Sequence, residues 1–437
     1  MKQRIRIAHL DLVDFRGFEH LSVDFDEQLT VFIGNNGSGK TTILEAVAAC
    51  LQYVKEQVQD HAQKDIFNDS DIRIAHGVDT FDINLSFSEP PARLNASYIR
   101  RGRPSFNFMA ISNDEPDYEI EATLKTWYKD NKSLEIIAYY PCQAISVENG
   151  QAVNFNVFNV ENAYDDALDG RFNFSMLNKW LIWQYSLRQE RGANVFFDRI
   201  VEVLIGEKGI LNDDTERRFN DLRVTYASSP EGALLFVKDD APLLAHQLSS
   251  GEKMLFALVA DIGRRLVTAN PNSQDPLKEG SGLVLIDEID LHLHPLWQRR
   301  VVSKLMEIFP KVQFIATSHS LVVISSLKPE YIRLLVKDET TQQKSVVNAQ
   351  EAHKHTKGLE PNRILKEIMG TPLRDVDTQE KMTALNNLLK TDYSNPKTLV
   401  LLAELTEDLG KEDPFIMRVQ QEILMLKRKK QPTHEIH

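Results

Sequence analysis

Residues 29–42 read Leu29-Thr30-Val31-Phe32-Ile33-Gly34-Asn35-Asn36-Gly37-Ser38-Gly39-Lys40-Thr41-Thr42, and the fold turns on how they are read. An apolar β-branched run, a glycine-rich turn ending in Gly-Lys-Thr, and an apolar-periodic segment (Ile43, Leu44, Ala46, Val47, Leu51) predict a strand, a phosphate loop and a helix. The glycines let backbone N–H groups turn in around a β-phosphate with no Cβ in the way, and the helix offers the anion its positive end. Lys40 then reaches the β- and γ-phosphates, and the Thr41 hydroxyl completes a Mg²⁺ shell. This is the chemistry of a nucleoside triphosphatase.

The totals narrow the setting. At 437 residues, and with roughly 150 per domain, one large domain with insertions or two to three smaller ones are possible. With 51 basic against 63 acidic side chains, the net charge is −12. Long-range attraction to nucleic acid is therefore excluded as a property of the whole molecule, and any such contact needs a local basic patch. The cysteines, Cys50 and Cys142, lack metal-ligand spacing and fit a reducing compartment. No apolar run approaches about eighteen residues and the amino terminus has no apolar signal core, so a cytoplasmic protein without a membrane segment is expected.

Alternation over residues 5–14 and at Val23 and Phe25 predicts an antiparallel pair before the phosphate loop, and Phe15-Arg16-Gly17-Phe18 is the turn between them. A strand is expected over Thr80–Phe87, ended by Glu89-Pro90-Pro91, and a buried one over Leu134–Tyr140. Apolar residues at three- and four-residue intervals (Phe172, Leu177, Trp180, Trp183, Leu187; then Phe196, Phe197, Ile200, Leu204) predict two amphipathic helices. No sustained heptad points to a coiled-coil arm. Val224–Tyr226 and Ala233–Val237 read as a hairpin.

Three more motifs follow. Gln247-Leu248-Ser249-Ser250-Gly251-Glu252-Lys253 opens a strongly apolar helix, and Ser249 with Glu252 satisfies a capping box. Leu283-Val284-Leu285-Ile286 is a buried strand ending in Asp287 and Glu288, two carboxylates that are costly there unless employed. Asp287 is expected to hold Mg²⁺ through water, and Glu288 to polarise the water that attacks the γ-phosphate. Lys311-Val312-Gln313-Phe314-Ile315-Ala316-Thr317-Ser318-His319 is another apolar strand ending in a polar turn, where His319 is placed to hydrogen-bond the γ-phosphate.

In this order the motifs resemble the ATP-binding-cassette ATPases, specifically the soluble branch that contains the SMC and RecF-like proteins. The resemblance implies an α/β fold: an ABC-type ATPase head with a mixed sheet and an antiparallel β lobe. It places the ATPase domain at 1–330, with a helical insertion at about 90–225 and a helical region at 331–437. It implies ATP and Mg²⁺ as cofactors and a head-to-tail dimer, in which Ser249, Ser250, Gly251 and Glu252 of one copy close on the nucleotide held by the other. Arg16 matches an amino-terminal phosphate-contacting arginine, and Asp290 the loop that crosses the dimer interface. Ser250 stands where transporters carry glycine. The metal-contacting glutamine is best matched by Gln143, with Gln184 as runner-up.

Asp287-Glu288-Ile289-Asp290-Leu291-His292-Leu293-His294-Pro295 is similar to the version found in overcoming-lysogenization-defect ATPases and phage-defence relatives. His292 and His294 alone are a poor metal pair. Asp375-Val376-Asp377 lies in a polar turn before a helix, so no Toprim-type nuclease centre is read there. Asn395-Pro396 and Asp413-Pro414 open helices that Gly410 separates. This tail resembles that of Septu-type defence ATPases. The resemblance implies that these helices dock an HNH-type nuclease partner and help build oligomers above the dimer, with a retron reverse transcriptase complex as a further partner. Lys427-Arg428-Lys429-Lys430 is a candidate contact for nucleic acid, although a lysine-rich exposed helix end is the simpler reading. A RecF-like repair ATPase and a nucleotide-gated scaffold with little turnover are the rival readings.

Overall fold

The computed structural model describes residues 5–59, 66–89, 91–109, 134–142, 160–169, 172–212, 218–227, 229–337, 343–351, 355–368, 374–392 and 395–430. Two compact units emerge, Met1–Ile364 and Leu365–His437.

In the first unit the phosphate-loop strand β3 (Leu29–Ile33) is buried at all five positions, as a central parallel strand covered on both faces must be. Its sheet has the order β14-β13-β3-β12-β11-β7. Here β7 is Ile136–Tyr140, β11 Gly282–Ile286, β12 Val312–Thr317, β13 Ile332–Lys337 and β14 Lys344–Asn348. Strands β13, β3, β12, β11 and β7 are parallel, and β14 is antiparallel to β13. Their loops toward the site leave from the same carboxyl edge, which gathers the motifs.

A second sheet, antiparallel, has the order β2-β1-β4-β5-β6, with β1 Arg6–Val13, β2 His20–Asp24, β4 Thr80–Glu89, β5 Pro91–Ile99 and β6 Ser105–Met109. The predicted alternation slips in β1: a bulge between Ile7 and His9 turns Leu10 and Leu12 to the buried face and leaves His9 half-exposed. Gln313, fully buried in β12, staples the two sheets. Its Oε1 accepts from Ile7 N–H at 2.9 Å, while its Nε2 donates to the carbonyls of Ile7 and Asp26, both at 2.8 Å. A buried amide satisfied on both ends costs little and fixes one arrangement.

A three-stranded sheet, β10-β9-β8 (Phe219–Thr225, Ala233–Lys238 and Ala241–Leu244 for β8, β9 and β10), leads into the helix Ser250–Ala269. That helix is buried along almost its whole length and packs against the helices Phe174–Arg191 and Val195–Ile205. Trp180 is in this core. Asp261 sits within it, receiving hydrogen bonds from Arg264 (2.9 Å), Arg265 (2.8 Å) and the Tyr140 hydroxyl (2.8 Å). Burial opposes its charge, yet Arg265 and Arg264 hold the Asp261 carboxyl well below the usual range. The network ties this helix to the end of β7.

Two expectations need correction. The insertion at 90–225 is not helical throughout: β5 and β6 extend the antiparallel sheet, and the buried strand expected over Leu134–Tyr140 is β7 of the central one. Nor is 331–437 all helix, because β13 and β14 complete the central sheet next to β3.

The second unit is helical, with Val376–Asp392, Pro396–Leu409 and Pro414–Lys430 packed around Leu385, Leu389, Leu405, Phe415, Ile416, Val419 and Ile423. Asn395 and Asp413 cap as predicted, their side chains accepting from the N–H groups of Lys397 (3.0 Å) and Phe415 (2.9 Å). Asp375 accepts from Thr378 N–H at 2.9 Å, so the first acid of Asp-x-Asp is a helix cap.

Candidate functional site

The phosphate loop joins β3 to helix α1 (Lys40–Gln59), whose first turn carries no acidic residue to compete with an anion. Gly39 adopts φ +109°, and a Cβ there would lie 2.4 Å from the Phe18 ring. Gly39→Ala is therefore expected to cost about 1–3 kcal/mol of stability, read as a lowered urea midpoint. The Ser38 hydroxyl is buried with no hydrogen-bond partner in the loop. The Lys40 ammonium rests on the carbonyls of Gly34 (2.9 Å) and Asn35 (3.2 Å). Burial lowers its pKa, against the pull of Asp287, Glu288 and Asp290. An unpaired hydroxyl and a cation seated on backbone carbonyls suit an incoming phosphate.

The acids stand where the parallel register puts them. Asp287 follows β11 and is held from three sides: its N–H donates to Tyr140 O at 2.8 Å, while its carboxylate accepts from Thr41 Oγ1 at 3.0 Å and Thr317 Oγ1 at 2.6 Å. The Thr41 hydroxyl and the Asp287 carboxylate are hard oxygen donors side by side, a set that fits Mg²⁺. Thr317, fully buried at the end of β12, also accepts from Glu288 N–H at 2.8 Å. The Glu288 carboxylate receives the Cys142 thiol at 3.1 Å. Burial, then Glu288, Asp287 and Asp290, push that thiol up to about 12, so it remains protonated.

His319 lies in this field. Burial and the Lys40 ammonium lower its pKa, with Asp290, Glu288 and Asp287 opposing. The imidazole is thus neutral at physiological pH. Burial raises the Asp290 carboxyl, while hydrogen bonds from Ser318 and His319 counter the shift.

Other predicted residues sit apart from these. Arg16 is paired with Asp71 (2.8 Å) and with Glu45 of α1. Gln143 lies outside the described residues. Gln184 is buried within its helix and accepts from Asn194 Nδ2 at 2.7 Å, so it is committed to the turn between two helices. His294 uses Nδ1 to cap Pro295–Gln298.

The serine corner is built as a helix start. Ser249 is the N-cap of Ser250–Ala269, its N–H donating to Glu252 Oε2 at 2.8 Å. Glu252 is buried. Burial opposes its charge, but hydrogen bonds from Lys238 and Ser249 pull the carboxyl below its usual range. Ser249 and Ser250 are exposed, whereas Gly251 is packed so tightly that a Cβ would lie 2.6 Å from His292 O.

Sequence reading missed four contributors. Lys344 of β14 donates to Gly37 O at 3.1 Å and lies 5.3 Å from the centre of the Phe18 ring. Thr317, Cys142 and Lys238 act as described. Only Thr317 carried a local sign, since it directly precedes Ser318-His319.

Fold and site together define a P-loop ATPase. Residues 29–325 match the family described as "AAA domain, putative AbiEii toxin, Type IV TA system", and the chain belongs to it. It is 29% identical to the Retron Vc95 probable ATPase of Vibrio cholerae, over 76% of this chain and 74% of that protein. It is 26% identical to the Retron Ec83 probable ATPase of Escherichia coli, over 96% of this chain and 87% of that one. Identity to the Septu protein PtuA of Bacillus mycoides is also 26%, over 77% of this chain and 41% of that longer protein. Among the described residues no helix is long and apolar enough to cross a membrane.

Proposed function

We propose that this chain is the ATP-hydrolysing subunit of a prokaryotic anti-phage defence system, an oligomer whose nucleotide state controls a partner HNH-type nuclease. Gly34 to Thr42 cradle the triphosphate, with Lys40 at the β- and γ-phosphates. Thr41 and Asp287, with Gln143, hold Mg²⁺, which when bound neutralises charge on the transferring phosphoryl group. Glu288 polarises the attacking water, and neutral His319 hydrogen-bonds the γ-phosphate. Arg16 joins them by exchanging Glu45 or Asp71 for phosphate. Ser249, Ser250, Gly251 and Glu252 come from a second copy, and Asp290 lies at the contact between copies.

The observation that carries this reading is the Thr41–Asp287–Thr317 chain beside Lys40, complete within one polypeptide, while Ser249 and Ser250 stand exposed at a capped helix end. The retron- and Septu-named relatives support the defence setting, with nucleic acid or a reverse transcriptase complex as further partners.

The test is reconstitution with the HNH subunit. Cleavage by the nuclease is expected to change between ATP and ADP and to lose that response in Lys40→Ala. Cleavage indifferent to both would contradict the proposal.

A further inference from the structure

Glu288 is fixed at its backbone from both ends. Its N–H donates to Thr317 Oγ1 at 2.8 Å and its carbonyl accepts from Leu291 N–H at 2.9 Å. Its φ is +52°, a left-handed conformation that a residue with a side chain keeps only when its surroundings impose it. What remains to be placed is the carboxylate.

The strand register says what meets it. β7 and β11 run parallel with Tyr140 beside Ile286, so the second residue beyond each strand brings Cys142 next to Glu288. The Asp287 N–H bond to Tyr140 O locks these strand ends together. At that point the thiol donates to Glu288 Oε2 at 3.1 Å. A carboxylate has two oxygens, and this contact engages one of them, leaving Oε1 for a water.

We propose that Cys142 is a positioning residue for Glu288, holding its carboxylate in the one orientation that can address the attacking water. The inference rests on the reading of Glu288 given under Proposed function. Without the thiol donor the carboxylate spreads over several rotamers and spends less time aligned, which slows the chemical step. ATP binding uses the loop from Gly34 to Thr41 and is untouched, so the effect falls on kcat and not on KM.

The experiment uses the full chain with Cys142→Ala and Cys142→Ser. The alanine variant is expected to lose about 3–10-fold in kcat with KM for ATP within about twofold of wild type, and the serine variant, which keeps a donor, to recover most of the loss. A second readout needs no turnover. Cys50 is fully buried, so Cys142 is the thiol that N-ethylmaleimide reaches, and its labelling is expected to speed up several-fold in Glu288→Ala. Wild-type kcat in Cys142→Ala would overturn the proposal. So would equal loss in both cysteine variants with a raised KM, or labelling indifferent to Glu288. If Glu288→Gln were to hydrolyse ATP normally, the role of Glu288 would fail, while the labelling would still report the contact.

Discussion

Glu288→Gln is expected to lower ATP turnover 10²–10⁴-fold, the range of a lost general base, while ATP stays bound. The substitution keeps size and hydrogen-bonding capacity and removes the negative oxygen that polarises water. It leaves in place what holds the residue: the Thr317 contact is to the Glu288 backbone, and Asp287 keeps its own bonds to Thr41 and Thr317. Binding of a fluorescent ATP analogue should therefore match wild type while phosphate release collapses. Undiminished phosphate release would remove Glu288 from the chemistry.

Ser250→Arg is the second large effect. Ser250 is exposed at the first helical position after its N-cap, where a long side chain meets no core, and the capping bonds belong to Ser249 and Glu252. The variant should fold and bind ATP with wild-type affinity. Its turnover is expected to fall by about 10²–10³, the loss that follows when donors to the terminal phosphoryl oxygens are displaced. Unaltered turnover, measured at chain concentrations where the wild type is saturated, would mean that the serine corner takes no part.

The two substitutions fall on parts of the site that a reader of the sequence could find, and the reason is physical. β3, its loop and α1 form one continuous local pattern, and Ile286-Asp287-Glu288 is another: a buried strand whose end cannot carry two acids idly. The contributors that escaped notice come from pairings distant in sequence. Cys142 meets Glu288, and Thr317 meets Asp287, only because β7, β11 and β12 are parallel and in a particular register. Parallel pairing leaves no turn signature to read. Lys344 reaches the loop because β13 joins β3 from some 300 positions away. The same blindness assigned Ile332–Lys337 to a helical region, since a short apolar run fits a buried strand and a buried helix equally well. β4 ends at Glu89, as Glu89-Pro90-Pro91 predicts, but Pro91 is also the first residue of β5, a position where no ladder donor is required of it.

The central claim is that one copy lacks part of its catalytic centre and takes it from another. Mixing Lys40→Ala, which keeps its serine corner, with Ser250→Arg, which keeps its phosphate loop, tests this directly, because each variant alone is inactive and a mixed pair contains one whole site. Phosphate release restored on mixing, and rising with total chain concentration, is the predicted result. A mixture as inert as its components, or Ser250→Arg turning over ATP at the wild-type rate by itself, would contradict it.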